Sequence, residues 1–192
     1  MRVIVISFLL MMLGCAVFAQ TKPKQKVKLK KENVKVTPVK GDKLFSVSGN
    51  VTRTESYCGG VELSPGEFEN YHKPQPYSGK VFYVRKGKVN DEKQQIVASF
   101  TTNGKGEFKI ELPPGEYSII VKEQAKPLKF KDFPNTDYIH TSEECLKEWW
   151  AKPLHVLLIS DKEISGLKFN FHWPCFVNSD IPCIGYNGPL PP

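Results

Sequence analysis

Apolar and polar residues alternate along most of the chain beyond residue 43. Phe45, Val47, Gly49 and Val51 share one face of a predicted strand over 44–53. Residues 80–86 (KVFYVRK) read as a second strand, apolar on both faces. Ile96, Ala98 and Phe100 mark a third, Phe108, Ile110 and Leu112 a fourth, and Tyr117, Ile119 and Val121 a fifth. His155 to Ser160 (HVLLIS) and Gly166 to Trp173 (GLKFNFHW) supply the last two, joined at Asp161-Lys162. The helical period surfaces once, near 142–151, where Leu146, Trp149 and Trp150 make an apolar face behind a capping box at Thr141-Ser-Glu-Glu144. Gly59-Gly60, Pro65-Gly66, Pro74 and Pro76 mark 54–79 as a long loop. Short strands at regular turn spacing predict an all-β protein: a seven-strand antiparallel sandwich with one short helix in a long insertion at 123–154.

Two turns carry a resemblance. Ser46-Val47-Ser48-Gly49-Asn50-Val51, then Phe100-Thr101-Thr102-Asn103-Gly104-Lys105-Gly106-Glu107-Phe108, then Leu112-Pro113-Pro114-Gly115-Glu116-Tyr117-Ser118-Ile119 together resemble the carboxypeptidase regulatory-like domain over roughly 45–122. The resemblance implies a transthyretin-like sandwich. It also implies a non-enzymatic accessory module of the bacterial envelope, with no catalytic residues to carry over. In that reading the Asn103-Gly104-Lys105-Gly106 turn joins a two-strand hairpin, and the Pro113-Pro114-Gly115 turn closes the opposite end with Tyr117 in the core.

Composition matters through where the charge lies. The chain of 192 residues has a net charge of +7, which invites a nucleic-acid reading. Residues 20–43 hold nine Lys against Glu32 and Asp42 and contain no aromatic residue. From residue 44 onward 17 basic residues face 18 acidic ones, so the folded body is near neutral and nucleic acid is not an expected partner. The Lys-rich stretch lacks the apolar surface to offset ordering, and it reads as a flexible linker. Such an arm is a solvated spacer that can also touch an anionic membrane surface. Ahead of it, Arg2, the apolar run Val3 to Leu13 and the small residues at Val17 and Ala19 make an export signal cleaved after Ala19. Lipid attachment at Cys15, within Met12-Leu13-Gly14-Cys15, is the alternative. The expected organisation is a signal peptide over 1–19, a linker over 20–43, a sandwich over 44–173 and a Cys- and Pro-rich tail over 174–192, in a protein that is periplasmic or extracellular.

Strict up-and-down alternation of the seven strands places the 54–79 loop, the 123–154 insertion and the tail at one end, with the linker and the 87–95 loop at the other. That end then collects Cys58, Cys145, Cys175 and Cys183, together with His72, His140, His155 and His172. An even set of cysteines in an oxidising compartment predicts two disulfides. Of three connectivities, Cys145–Cys175 with Cys58–Cys183 is favoured over a local Cys175–Cys183 loop, because it restrains both long loops and the tail.

The same end offers other chemistry. Four His and four Cys are good ligands for zinc or copper, but no close ligand spacing is present, so no metal or other cofactor is assigned. A Cys58–His72 nucleophile pair would need a free thiolate. No G-x-S-x-G motif or phosphate-cradling Gly loop is present, and Asp91-Glu92 and Glu143-Glu144 are adjacent acids rather than opposed ones, so catalysis is not expected. A Lys80–Asn170 amide cross-link would join two strands, though both residues also read as outward-facing strand positions. Trp149, Trp150, Trp173, Tyr71 and Tyr77 could form an aromatic platform for an envelope protein or a glycan. The plainer alternative has Trp149 packing the helix on the sandwich and Trp173 completing the last strand. Tyr186-Asn-Gly-Pro-Leu-Pro-Pro192 favours an extended end. The functional expectation is a non-catalytic envelope module with a structural or binding role. The alternatives are a metal-binding module at the His/Cys end and a carbohydrate-binding module.

Overall fold

Strand β1 (Phe45–Glu55) organises the molecule, because it pairs with three others. In the computed structural model, which describes residues 43–189, β1 runs antiparallel to β5 (Glu107–Leu112) and to the short β2 (Gln75–Pro76), and parallel to β9 (Ile164–Trp173). A second sheet has the order β4-β3-β6-β8, from Ile96–Thr101, Val81–Lys86, Gly115–Val121 and His155–Ile159, and all of its pairs are antiparallel. The expected signal peptide with Cys15, the expected linker apart from Lys43, and residues 190–192 lie outside the described residues.

The inward faces are the ones the alternation predicts. Val47 and Val51 meet Phe82 and Val84, Phe108 and Leu112, and Tyr117 and Ile119 in one buried cluster. Aromatic rings fill its centre: Phe82 stacks on Phe100, Phe100 on Phe108, and Phe108 on Phe169, with centroids 5.0, 4.4 and 5.9 Å apart. Strand β3 is apolar on both faces because it is central in its sheet, with Arg85 on the far face buried as well.

Gly49 occupies an inward position where no side chain fits. A Cβ there would lie 2.3 Å from the Leu167 carbonyl oxygen and 2.9 Å from the Phe108 ring. The register of β1 on β9 shifts between Val47 and Gly49, which brings the β9 backbone against the α-carbon.

Four features depart from the sequence reading. The sandwich is not wholly antiparallel: β1 and β9 are parallel, as a first and a seventh strand must be when directions alternate. The Asn103–Gly106 turn does not join a ladder hairpin, because β4 and β5 belong to different sheets. It arches between them, with the Asn103 side-chain oxygen accepting from the N–H of Lys105 and of Glu107. A second helix is present, α1 (Pro65–Tyr71), inside the segment read as loop. It starts on Ser64, whose backbone N–H and hydroxyl both donate to the Glu67 carboxylate. The predicted helix is α2 (Glu143–Ala151), but Ser142 caps it through the N–H of Cys145. Thr141, the predicted cap, instead lies in a third, two-stranded sheet of β7 (Ile139–Thr141) with β10 (Ile184–Tyr186).

Candidate functional site

The parallel pairing of β1 and β9 fixes the chemistry at their shared end. Glu55 lies beside Trp173, so the two strands deliver Cys58 and Cys175 to one place, and these form a disulfide with α-carbons 5.4 Å apart. Cys145 on α2 pairs with Cys183 in the tail, beside the β7–β10 ladder and the bond from the Ser142 N–H to the Cys183 carbonyl. All four cysteines among the described residues are therefore paired, but neither favoured bridge forms, nor does the local Cys175–Cys183 loop. The choice follows from which strand neighbours β1, a relation that loop lengths do not encode.

The insertion and the tail build a cap with a core of its own. Leu146, Val177, Ile181 and Ile184 are buried together, with Leu128, Phe130 and Phe133 packed around them. Trp149 is half-buried and touches both this core and that of the sandwich. Gln124 binds the C-terminal end of α2 through its side-chain amide, at 2.7 Å from the Trp149 carbonyl and 2.8 Å from that of Lys152. Asn90 donates to the carbonyls of Gln124 and Trp150. Asn90 belongs to the 87–95 loop, expected at the opposite end, so that loop in fact reaches the insertion.

Asp180 fastens the tail to the sandwich. Its carboxylate is ion-paired with the Lys80 ammonium, both side chains being almost wholly buried. It also accepts from the Tyr77 hydroxyl at 2.8 Å and from the Trp173 indole at 2.6 Å. The Lys80 ammonium lies 5.1 Å from the Phe171 ring, and the Arg53 guanidinium covers Trp173 at 3.9 Å. Burial, and then Asp180 itself, pushes the Tyr77 hydroxyl well above the ordinary phenol range. Sequence reasoning passed over Asp180 and Arg53. The visible hint was one acid in an otherwise Pro- and Cys-rich tail.

The other candidate residues are dispersed. Lys80 meets Asp180 and not Asn170, which faces outward and bonds Thr52 and Thr54. The four thiols of the metal reading, with Cys58 of the nucleophile reading among them, are lost to disulfides. Among the described residues no group of three or more His, Cys, Asp or Glu is placed to hold a metal ion. His172 bonds Ser56 at 2.9 Å, His72 bonds the Phe68 carbonyl, and His140 and His155 sit on β7 and β8.

Of the five aromatic residues proposed as a platform, only Tyr77 and Trp173 make a ring contact with each other, edge to face at 6.3 Å. Trp150 donates its indole N–H to the Lys126 carbonyl. Tyr71 alone is exposed. It belongs to an aromatic group that sequence reasoning did not assemble: Tyr57 meets Tyr71 edge-on at 5.3 Å, and Phe68 lies over His72 at 4.1 Å. Phe68 and Tyr71 are 54% and 43% exposed, large fractions for residues of this size on a helix.

No known family profile matches the chain, and no curated protein matches it. Solved structures give faint likenesses. The N-terminal domain of the shaft pilin SpaA from Lactobacillus rhamnosus GG aligns at 12% identity over 67% of this chain and 92% of that one, with a TM-score of 0.32. The longer SpaA shaft pilin from the same organism aligns at 12% identity over 69% of this chain and 50% of that one, with a TM-score of 0.31. The major plantain pollen allergen Pla l 1 aligns at 16% identity over 67% of this chain and 94% of that one, with a TM-score of 0.29.

Proposed function

We propose that the protein is an exported, non-catalytic module of carboxypeptidase regulatory-like type that serves a binding role in the bacterial cell envelope. One observation carries this reading. Helix α1 presents Phe68 and Tyr71 to solvent on a segment that the Cys58–Cys175 disulfide and the β2–β1 pairing hold in place. Large apolar rings held out on a covalently fixed loop favour recognition over packing. The export signal and the two disulfides support an oxidising compartment. The partner is an envelope protein or a glycan, met through the Tyr57, Phe68 and Tyr71 rings.

The test compares the oxidised protein with a Phe68→Ser/Tyr71→Ser variant on a glycan array and against fractionated envelope proteins. Both residues are solvent-exposed, so the variant keeps its fold and its two disulfides. Binding by the parent that falls at least tenfold in the variant supports the reading, and the arm in which it appears identifies the partner class. Equal binding by the two proteins overturns it.

A further inference from the structure

Strand β8 is an open edge of its sheet. Among the described residues it pairs with β6 alone. The Glu116 carbonyl accepts from the N–H of Gly87, just past β3, and the Ile119 carbonyl from that of Leu154, just before β8. Backbone groups alternate in direction along a strand, so those of Tyr117 and Ile119 face β8 and meet Leu157 and His155. The N–H and C=O of Val156 and Leu158 therefore point to the free side. Leu157 and Ile159 turn their side chains to the core, whereas Leu154, Val156 and Leu158 are 37%, 41% and 66% exposed. Residues 155–159 (HVLLI) include no Lys, Arg, acid or Pro. The other edges carry the devices by which β-proteins discourage pairing. Strand β4 has an extra residue, Val97, at a bulge. Strand β5 exposes Glu107, Lys109 and Glu111, and β9 exposes Lys168. Strand β8 has neither a bulge nor a charge.

We propose that β8 pairs with β8 of a second copy of the chain, antiparallel about a two-fold axis at Val156. The strand is self-complementary in that register. Val156 faces the partner's Val156 and exchanges both backbone bonds with it, and the Leu158 N–H reaches the carbonyl of the partner's Leu154. The exposed apolar side chains of the two copies then cover one another on one face of a continuous sheet. Charge agrees with this register. Lys152 comes opposite the partner's Ser160 and beside the partner's Asp161. An axis at Leu157 would instead set Lys152 against the partner's Lys162 and leave Leu154 facing the partner's Ser160. The contact uses up both open edges, so association stops at two copies. A five-residue strand makes a small interface, so the dimer is weak and depends on concentration. Strand β9 follows β8 and runs parallel to β1, so β8 descends from the end that carries α1. The dimer thus presents its two Phe68–Tyr71 surfaces at opposite ends. The pairing does not rest on what those surfaces bind, so either proposal can fail alone.

Sedimentation equilibrium of the oxidised full chain over a hundredfold range of concentration, with amide hydrogen exchange at both extremes, tests the pairing. The expected result is a monomer–dimer equilibrium with no larger species. The amides of Val156 and Leu158 should exchange at least tenfold more slowly in the concentrated sample, while that of Leu157 is protected in both. Leu158→Lys puts a charge at an exposed position in the contact, and Val156→Pro removes a donor that the β6 ladder does not use. Each should raise the dimer dissociation constant at least tenfold while exchange protection in β1, β3 and β6 stays at the parent level. Phe68→Ser/Tyr71→Ser should leave that constant unchanged. A chain that is monomeric at every concentration overturns the proposal. So does a dimer that survives both β8 substitutions, one lost in Phe68→Ser/Tyr71→Ser, or one that forms without slowing the Val156 and Leu158 amides.

Discussion

Trp173 donates its indole N–H to Asp180 across 2.6 Å, although the first ends β9 and the second lies within the cap. With Tyr77 and Lys80 converging on the same carboxylate, this contact turns a seven-residue excursion of the tail into a fixed attachment. Replacing Asp180 by Ala leaves the buried Lys80 ammonium uncompensated and two donors without an acceptor. The expected cost is about 3–5 kcal/mol, the range for breaking one side of a buried pair. A Lys80→Met/Asp180→Leu double variant should recover a large part of it. Urea denaturation of the three proteins measures both values, and a double variant no more stable than Asp180→Ala would refute the account.

The two disulfides should differ in worth. They span 117 and 38 residues. Loop-closure entropy then gives about 5 kcal/mol for Cys58–Cys175 and about 4 kcal/mol for Cys145–Cys183. Paired Cys→Ser variants test the order. Loss of Cys145–Cys183 should loosen the cap alone, with rapid hydrogen exchange over 176–186 and protection retained in β1, β3 and β6. Loss of Cys58–Cys175 should free α1. Proteolytic peptide maps without reductant should return these two linkages and neither alternative.

Tyr77 gives the protein an alkaline signature. Burial and the Asp180 carboxylate raise its pKa, so the neutral phenol is the form the fold prefers. An acid raised in the folded state stabilises fully below its unfolded pKa, near pH 10 for tyrosine, and that contribution fades as pH climbs toward the folded value. Ultraviolet titration should show one tyrosine resisting ionisation above pH ~10. Tyr77→Phe should remove that late titration and flatten the fall in stability that begins above pH ~10. Normal titration of Tyr77 in the folded protein would contradict the buried contact.

The sandwich was legible because its code is local. Phe45, Val47 and Val51 face inward as the two-residue period requires, and so do Phe108, Leu112, Tyr117 and Ile119. What stayed hidden depends on neighbours distant in sequence. Disulfide pairing turned on β9 lying beside β1, although strict alternation already implied that such a pair would run parallel. Helix α1 was missed for a different reason. Pro65 and Gly66 read as loop breakers, yet Pro suits the first turn, and Ser64 with Glu67 is a capping signature. Trp149 and Trp173 follow the plainer alternative, one packing α2 on the sandwich and the other ending β9, while the bonds of Trp150 to Lys126 and of Trp173 to Asp180 depend on neighbours that composition cannot reveal. Asp180 was invisible as a site residue, since one acid looks like any other until its surroundings are known.

Gly49 and Gly166 separate two reasons for needing glycine, and one pair of variants distinguishes them. Gly166 has a φ of +74° with open space where a Cβ would stand. Gly166→Ala should therefore cost only the left-handed backbone penalty, roughly 1–2 kcal/mol. Gly49 has no such φ, but a Cβ there meets the Leu167 carbonyl at 2.3 Å and the Leu167 Cβ at 2.8 Å. The first obstacle is backbone in the parallel β1–β9 ladder, so it yields only if the ladder shifts. Gly49→Ala should cost at least the ~1–3 kcal/mol of core overpacking. Trimming the neighbour with Leu167→Gly should not restore it, because the carbonyl remains. The ladder from Asn50–Lys168 to Glu55–Trp173 carries β9 toward Cys175, so displacement of β9 at Gly49 should also slow formation of the Cys58–Cys175 bridge during oxidative refolding. Quenched-flow alkylation with mass analysis reads that rate directly, and a Gly49→Ala protein that oxidises at the parent rate with parent stability would show that β9 does not depend on this close approach.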